Sequence, residues 1–311
     1  MLELSPPRGL GERLLALRSL PMLAILPAAE LTQLARLSRD RDFPAGAVLA
    51  VEDRPVRATQ IFVSGRVDLW RAGQLVRAGQ ALEVLDLPAV AARLPHPFTA
   101  RAAEAVHTLE VDASLVAEVL EDDFRLFLEV LRVAARAIPV GAALGGPRAR
   151  AFDATAAGSP GRPTKPATPH ATPPFDAAAR LMALRETDLF RRAPVDGLAA
   201  LARRLQVASL APGDEVVLSE TGELTIVVEG QVTWPGQAGP RTCGVDTAGA
   251  GAVLGLRDAL AGDPPLAAAR ADSSVVLLRA PLTDLLDVLD DHHAMGRRLM
   301  TELMMTGIAR P

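Results

Sequence analysis

Few residues of this chain have the types and spacing that chemistry requires. The run Asp290–His293, two acids followed by two histidines, comes nearest to a metal site. Adjacent helical residues point about 100° apart, so the two histidines do not share one ion, and Asp290 with His293 supplies too few ligands. Gly249–Gly255 is glycine-rich but lacks the Lys and Ser/Thr of a phosphate loop. Without a nucleophile elbow or paired carboxylates, we predict neither an enzyme nor a metal site.

The elements that would position any site fall into two halves. The stretch from Gly145 to Pro174 is rich in Pro, Thr, Ala and Gly and has no periodic apolar residues. Such a segment cannot repay its ordering entropy by burial, which predicts a flexible linker. We therefore expect a first domain at 1–144, a linker at 145–174 and a second domain at 175–311.

The two halves resemble each other. Five apolar and basic positions of the first half recur 167 residues later, as Pro27/Pro194, Leu31/Leu198, Leu34/Leu201, Ala35/Ala202 and Arg36/Arg203. Gly46 and Gly213 share that offset, and Arg101-Ala102 matches Arg270-Ala271. A shared offset over tens of residues indicates a repeated domain.

Each half has the same order of predicted elements. Helical periodicity, as in 26–37, comes first, and short β-branched runs follow. The predicted strands are 47–51, 60–63 and 66–70 in the first half, and 216–218, 225–228 and 231–234 in the second. Each half ends in an amphipathic stripe, which predicts one long closing helix. The stripes comprise Leu120, Phe124, Phe127, Leu128, Leu131, Ala135 and Ile138, and then Leu285, Leu289, Leu299 and Leu303.

Motifs in both halves resemble those of the cyclic-nucleotide-binding domain, whose plan is a helix, an eight-stranded roll and a closing helix. The motifs that carry the resemblance are Phe43-Pro44-Ala45-Gly46 and Val63-Ser64-Gly65-Arg66-Val67, then Leu210-Ala211-Pro212-Gly213-Asp214 and Val228-Glu229-Gly230-Gln231-Val232. The resemblance implies a mainly β fold with flanking α-helices, built as two tandem β-rolls of the jelly-roll type.

In that family, a Gly-Glu pair opens a short helix, and an Arg farther along binds the cyclic phosphate. This chain departs from the pattern in its first half. We align Leu82-Glu83-Val84 with the family's apolar-Gly-Glu, so the Gly becomes Glu83 and the ribose-binding Glu becomes Val84. His96 stands where the phosphate-binding Arg belongs, with Thr99 and Arg101 on the strand that follows.

The second half departs at the same points. Gly255 is kept, but Leu256 replaces the ribose-binding Glu and Pro265 replaces the Arg, with Arg270 on the next strand. Losing two charge-assisted contacts in each site weakens binding by several orders of magnitude. We predict vestigial pockets without a cofactor; a cyclic nucleotide is disfavoured as a ligand of either half.

The function that fits is a non-enzymatic regulatory or scaffold protein with protein partners. The alternative is a cyclic-nucleotide or cyclic-dinucleotide sensor acting on a partner in trans. A net charge of −4 and a pI near 5.8 give no support for nucleic-acid binding. The lone Cys243, the charged N-terminus and the absence of a long apolar run predict a cytoplasmic protein off the membrane. The closing stripes allow a homodimer, and no DNA-binding pattern follows the second one.

Overall fold

The computed structural model describes residues 9–23, 26–81, 83–145, 175–235, 245–264 and 269–308. It divides the chain into two compact units. The first unit is Met1–Ala137 with Met300–Pro311, and the second is Ile138–Leu299. Residues 138–145 thus belong with the second unit, although we expected them almost entirely in the first domain. Apart from Gly145, the predicted linker lies outside the described residues.

The first unit begins with helices and continues as short strands. Its helices and 3-10 helix are α1 (Leu10–Arg18), the 3-10 helix Pro21–Leu23, α2 (Ala28–Leu37), α3 (Leu87–Ala92), α4 (Ala113–Asp122) and α5 (Phe124–Arg136). Its strands are β1 (Arg39–Phe43), β2 (Val48–Ala50), β3 (Ala58–Ser64), β4 (Val67–Arg71), β5 (Gln74–Gln80), β6 (Thr99–Ala102) and β7 (Val106–Asp112).

The second unit has the same order of elements. Its helices are α6 (Ala177–Glu186), α7 (Val195–Arg204), α8 (Leu256–Ala261), α9 (Leu282–Asp291) and α10 (His293–Ile308), whose last residues belong to the first unit. Its strands are β8 (Gln206–Leu210), β9 (Glu215–Val216), β10 (Glu223–Glu229), β11 (Val232–Pro235), β12 (Val245–Ala248), β13 (Val253–Leu254), β14 (Ala269–Ala271) and β15 (Val275–Pro281).

Each unit is a roll of two antiparallel sheets. The first has the strand orders β1-β7-β3 and β2-β6-β4-β5; the second has β13-β10-β15-β8 and β12-β11-β14-β9. The orders correspond strand by strand, and β13 has its counterpart in an isolated bridge between Ile61 and Val84. The predicted fold class, mainly β rolls with flanking helices, is confirmed.

The interior of each roll is filled by the chain's own apolar side chains. In the first unit the buried cluster includes Phe62, Val67 and Leu69; in the second it includes Trp234 and Leu277. The second cluster also includes Val216 of β9, Leu254 of β13 and Ala269 of β14. Alternation along short strands supplies these residues, since successive side chains point to opposite faces.

The glycine in each hairpin motif is required by close backbone approach. Gly65 has φ +96°, and a Cβ there would lie 2.6 Å from the Ala105 carbonyl oxygen. Gly230 has φ +88°, and its Cβ would lie 2.3 Å from the Ser274 carbonyl oxygen. Both the positive φ and the lack of space exclude other residues. The motifs recognised in the sequence therefore mark equivalent crossings in the two rolls.

The predicted single closing helices are each interrupted, which corrects the sequence interpretation. Asp123 ends α4 with an extended conformation and caps α5, and His292 separates α9 from α10. An Asp accepting backbone N–H bonds starts a new helix in preference to continuing the old one. In α5 the buried face includes Phe127, Val130 and Leu131, and α5 packs against α3 in the same unit. A homodimer through these helices stays a prediction.

Asp123 offers a test of this helix start. Its carboxylate accepts from the N–H groups of Arg125 and Leu126. Burial acts to raise the pKa of Asp123, but the hydrogen bonds from Arg125 and Leu126 outweigh it and lower the pKa below its ordinary 3.8. The Asp123 contribution is therefore complete above about pH 4 and is lost as pH falls through the lowered pKa. We expect Asp123→Ala to cost about 1 kcal/mol at pH 7.

Urea unfolding at pH 7 and at pH 3 measures this difference. The difference in the free energy of unfolding between Asp123→Ala and the wild type should be smaller at pH 3 than at pH 7. The exposed neighbour Asp122 supplies the control, since Asp122→Ala should stay within about 0.5 kcal/mol of wild type. A gap that is equal at both pH values contradicts the assignment.

Candidate functional site

The short helix that opens the candidate site is present in both rolls. Helices α3 and α8 each begin after a residue in the left-handed conformation, Asp86 with φ 59° and Gly255 with φ 72°. The strands leading to them correspond as well. The Ile61–Val84 bridge matches the pairing of Ile226 with Val253. Asp86 is therefore the structural counterpart of Gly255.

This equivalence corrects the sequence alignment of the first site by three positions. Glu83 is exposed, and its carbonyl accepts from the N–H of Phe62. Val84 pairs with Ile61 at the sheet edge, and Leu82 lies outside the described residues. Glu83 and Val84 therefore precede the site helix, which begins at Leu87. The residues at the family's Gly and Glu positions are instead Asp86 and Leu87.

His96 is the predicted site residue that the structure brings to this helix. Its Nδ1 is hydrogen-bonded to Oδ2 of Asp86, and the side chains are 11% and 5% exposed. Its backbone is held as well, because its N–H donates to the Arg54 carbonyl and its carbonyl accepts from the Asp53 N–H. The residue that aligns with the family's phosphate-binding Arg is thus hydrogen-bonded to a carboxylate of the same chain.

Thr99 and Arg101 have other surroundings. Oγ1 of Thr99 accepts from the N–H of Glu52 at 3.0 Å, which ties β6 to the preceding loop. Arg101 is exposed on β6, in register with Val48 and Asp68. Its counterpart Arg270 is exposed on β14, in register with Thr233 and Glu215. Neither arginine is brought to the site helix.

In the second roll the first residue of α8 is a leucine, at the position that aligns with the family's ribose-binding Glu. Leu256, in place of the family's Glu, is fully buried. Gly255 keeps the left-handed conformation that a glycine adopts freely. Pro265 lies outside the described residues, so its place is a matter of sequence alone. A buried leucine has no acceptor for a ribose hydroxyl.

A buried charged cluster on the second site helix was not predicted from the sequence. Arg257 and Asp258 on α8 are 5% and 1% exposed, and their Nη1–Oδ1 distance is 3.0 Å. Nη1 of Arg257 also contacts Asp263, and its Nε donates to the carbonyl of Ile138 at 2.8 Å. An adjacent Arg-Asp pair on a site helix was the available signal. It was passed over because such pairs are ordinarily exposed.

A small pocket of about 220 Å³ opens beside α8 in the second unit. Its lining includes the acids Glu220, Glu223 and Asp263 and the hydroxyls of Ser219 and Thr221. Among the described residues that line it there is no Arg, Lys or His. Two of these acids are paired with arginines, Glu223 with Arg279 at 2.6 Å and Asp263 with Arg257, so the lining is not a uniformly negative surface.

Among the residues that the structure describes, no group of three or more His, Cys, Asp or Glu side chains is arranged to hold a metal ion. None of the helices in this part of the chain is long and apolar enough to cross a membrane.

Comparison with solved structures finds distant likenesses to cyclic-nucleotide-binding proteins. A triple mutant of the regulatory subunit of a cAMP-independent protein kinase A from Trypanosoma brucei, bound to cAMP in the A site, is 16% identical over 91% of this chain and 90% of its own, with TM-score 0.33. The regulatory domain of Toxoplasma gondii PKA with cAMP is 13% identical over 94% and 95%, with TM-score 0.33.

A cAMP-binding acyltransferase from Mycobacterium smegmatis is 21% identical over 43% of this chain and 44% of its own, with TM-score 0.33. No protein-family model matches this chain, and no curated protein does. These scores are too low to carry a function across, so the functional argument rests on the chain's own residues.

Proposed function

We propose that this chain is a non-enzymatic regulatory protein that acts through protein contacts and not through a bound cyclic nucleotide. The observation that carries the proposal is the buried Asp86–His96 contact. It puts the chain's own carboxylate against the residue that, by the resemblance, stands at the phosphate-binding position. In the first roll, a side chain of the protein itself thus contacts the residue at which a cyclic phosphate would bind.

Electrostatics supports this interpretation. A cyclic phosphate about 5 Å from the Asp86 carboxylate would be repelled by about 3 kcal/mol at an effective dielectric constant of 20. That is on the order of a hundredfold in affinity. The missing guanidinium removes a charge-assisted contact of about 1.5–3 kcal/mol more. Together these effects put the dissociation constant well above cellular nucleotide concentrations.

The sugar side of the site supports the same conclusion. Leu87 and Leu256 are buried at the two positions of the ribose-binding acid, with 7% and 0% of their surface exposed. Neither accepts a hydrogen bond from a ribose hydroxyl, so a bound nucleoside would lose its water partners without compensation.

Thermal unfolding of the full chain with cyclic AMP, cyclic GMP and a cyclic dinucleotide tests the proposal. Because stabilisation equals RT ln(1 + [L]/Kd), a ligand with a dissociation constant far above its concentration leaves Tm unchanged. We expect shifts below about 1 °C at millimolar ligand. AMP, which has the same base and sugar without the cyclic phosphate, is the matched control.

A shift of several degrees at micromolar cyclic nucleotide, absent with AMP, would overturn the proposal. It would favour a sensor that acts on a partner in trans. This experiment does not test three other predictions: the cytoplasmic location, the homodimer and the identity of the protein partner.

A further inference from the structure

A segment of the second unit lies across its site helix. We name residues 138–145 the strap. The carbonyl of Ile138 accepts from Nε of Arg257 at 2.8 Å, and the N–H of Gly141 donates to Oδ1 of Asp258 at 2.9 Å. Farther along, Leu144 exchanges two backbone hydrogen bonds with Val253, at 2.9 and 2.7 Å. The strap thus contacts both α8 and the strand before it.

The strap covers an open sheet edge. β13 is the terminal strand of the order β13-β10-β15-β8, so one side of Val253 faces away from the sheet. Leu144 pairs antiparallel with Val253 on that side and is fully buried. Ala143 packs against the apolar interior of the second roll. This is the geometry by which an extended peptide adds to a sheet edge.

The first roll shows that the buried charges are not needed to form the helix. At the positions of Arg257 and Asp258, α3 has Pro88 and Ala89, yet it has the same length and the same left-handed start. Burying an Arg-Asp pair has a desolvation cost that apolar residues avoid. The pair is therefore best explained by what it binds, the strap backbone.

The strap is anchored at Ile138, Gly141 and Leu144, and it is exposed between the first two of these anchors. Pro139 and Val140 are exposed, whereas Ile138 and Leu144 are buried. Gly141 and Gly145 have φ of 72° and 66°, which places a glycine bend before and after the Leu144 anchor. Within the described part of the chain, Oδ2 of Asp258 is buried without a hydrogen-bond partner. The surface under the strap thus has an unused acceptor.

We propose that the strap is a displaceable occupant of a peptide-binding surface, formed by the open edge of Val253 together with Arg257 and Asp258. That surface takes a segment of matching chemistry: a backbone carbonyl for Arg257, an N–H group for Asp258 and a leucine side chain on an extended backbone at Val253. The occupant in the resting protein is the strap itself. The proposal deepens the protein-contact function proposed above and rests on it.

A labelled synthetic peptide of residues 137–145, AIPVGAALG, tests the proposal by fluorescence anisotropy with the full chain. Leu144→Asp disables the strap in cis and leaves the surface beneath it unaltered. We expect this variant to bind the peptide at least tenfold more tightly than the wild type, in which the strap competes. Adding Arg257→Met together with Asp258→Ala, which removes both buried charges at once, should remove that gain. The same peptide with Asp in place of its leucine is the matched control and should not bind.

Equal or absent binding in all three proteins, with the fold intact, would overturn the proposal. If Leu144→Asp does not fold, Leu144→Ala takes its place, and hydrogen exchange of the wild type gives a second measurement. The Gly141 and Leu144 amides should exchange at least tenfold faster than the Leu278 amide of β15. Exchange at the same rate would mean that the strap opens only with the whole unit, which also overturns the proposal.

The two proposals fail separately. Cyclic-nucleotide binding would end the proposed function and leave the peptide result as measured. A failed peptide experiment does not affect the Asp86–His96 contact, and the proposed function through protein contacts then still stands.

Discussion

Arg257→Ala should lower the free energy of unfolding of the second unit by about 3–5 kcal/mol. The Arg257 side chain is 5% exposed and contacts Asp258, Asp263 and the carbonyl of Ile138. Removing it leaves the carboxylate of Asp258, which is 1% exposed, without its cation. An uncompensated buried charge is among the most destabilising changes a single substitution makes. Urea unfolding followed by the fluorescence of Trp234, in a Trp70→Phe background that isolates its signal, reports on this unit.

Two further variants separate this effect from general loss of an arginine. Arg191→Ala removes an exposed pair with Asp188 in the same unit and should cost less than about 1 kcal/mol. The double variant Arg257→Met with Asp258→Ala removes both charges, as Pro88 and Ala89 do in α3, and should recover most of the stability. If the double variant is as unstable as Arg257→Ala, the buried charge is not the cause.

His96→Ala should destabilise the first unit by about 2–3 kcal/mol. The Asp86 carboxylate, 5% exposed, then loses its hydrogen-bond donor and stays buried. Trp70 on β4 reports on the first unit, and a Trp234→Phe background isolates its signal. Arg101→Ala provides the control, since this exposed residue should change stability by no more than about 0.5 kcal/mol.

Replacing Asp86 as well tests whether its buried carboxylate is the cause of the lost stability. Asp86 has φ 59°, a conformation that glycine adopts without strain. Asp86→Gly combined with His96→Ala removes the buried carboxylate and relaxes the backbone, so the double variant should be more stable than His96→Ala alone. A double variant that is less stable would show that the carboxylate has another partner and would weaken the proposal of an internally occupied site.

Local rules were enough to locate the rolls in the sequence. Short β-branched runs predicted strands near 47–51 and 66–70, where β2 and β4 are found. The glycines at 65 and 230 were recognised from the hairpin motif of the resembling family, and the structure supplies the reason, since a positive φ with no room for a side chain accepts little else. These signals depend on a few neighbouring residues, so they are readable without the fold.

The start of the first site helix, α3, was predicted at the wrong residues because it is marked by a backbone conformation and not by a residue type. Asp86 and Gly255 share a left-handed backbone but no side-chain property, and Asp is among the few residues that adopt it. The offset that joins Arg101 to Arg270 also joins Asp86 to Gly255. Extending that offset backwards from the strand would have found the helix start, whereas matching residue types found Glu83.

Sequence alone was enough to predict two rolls, and the absence of the family's phosphate-binding arginine and ribose-binding acid stays a prediction from the alignment. Only the tertiary structure decided what replaced them. The Asp86–His96 contact depends on how a loop returns to a helix, and Arg257 meets Ile138 across 119 positions of the chain. Hydrogen bonds of this kind are made by chain closure, and no periodicity in the residues themselves records which distant groups will meet.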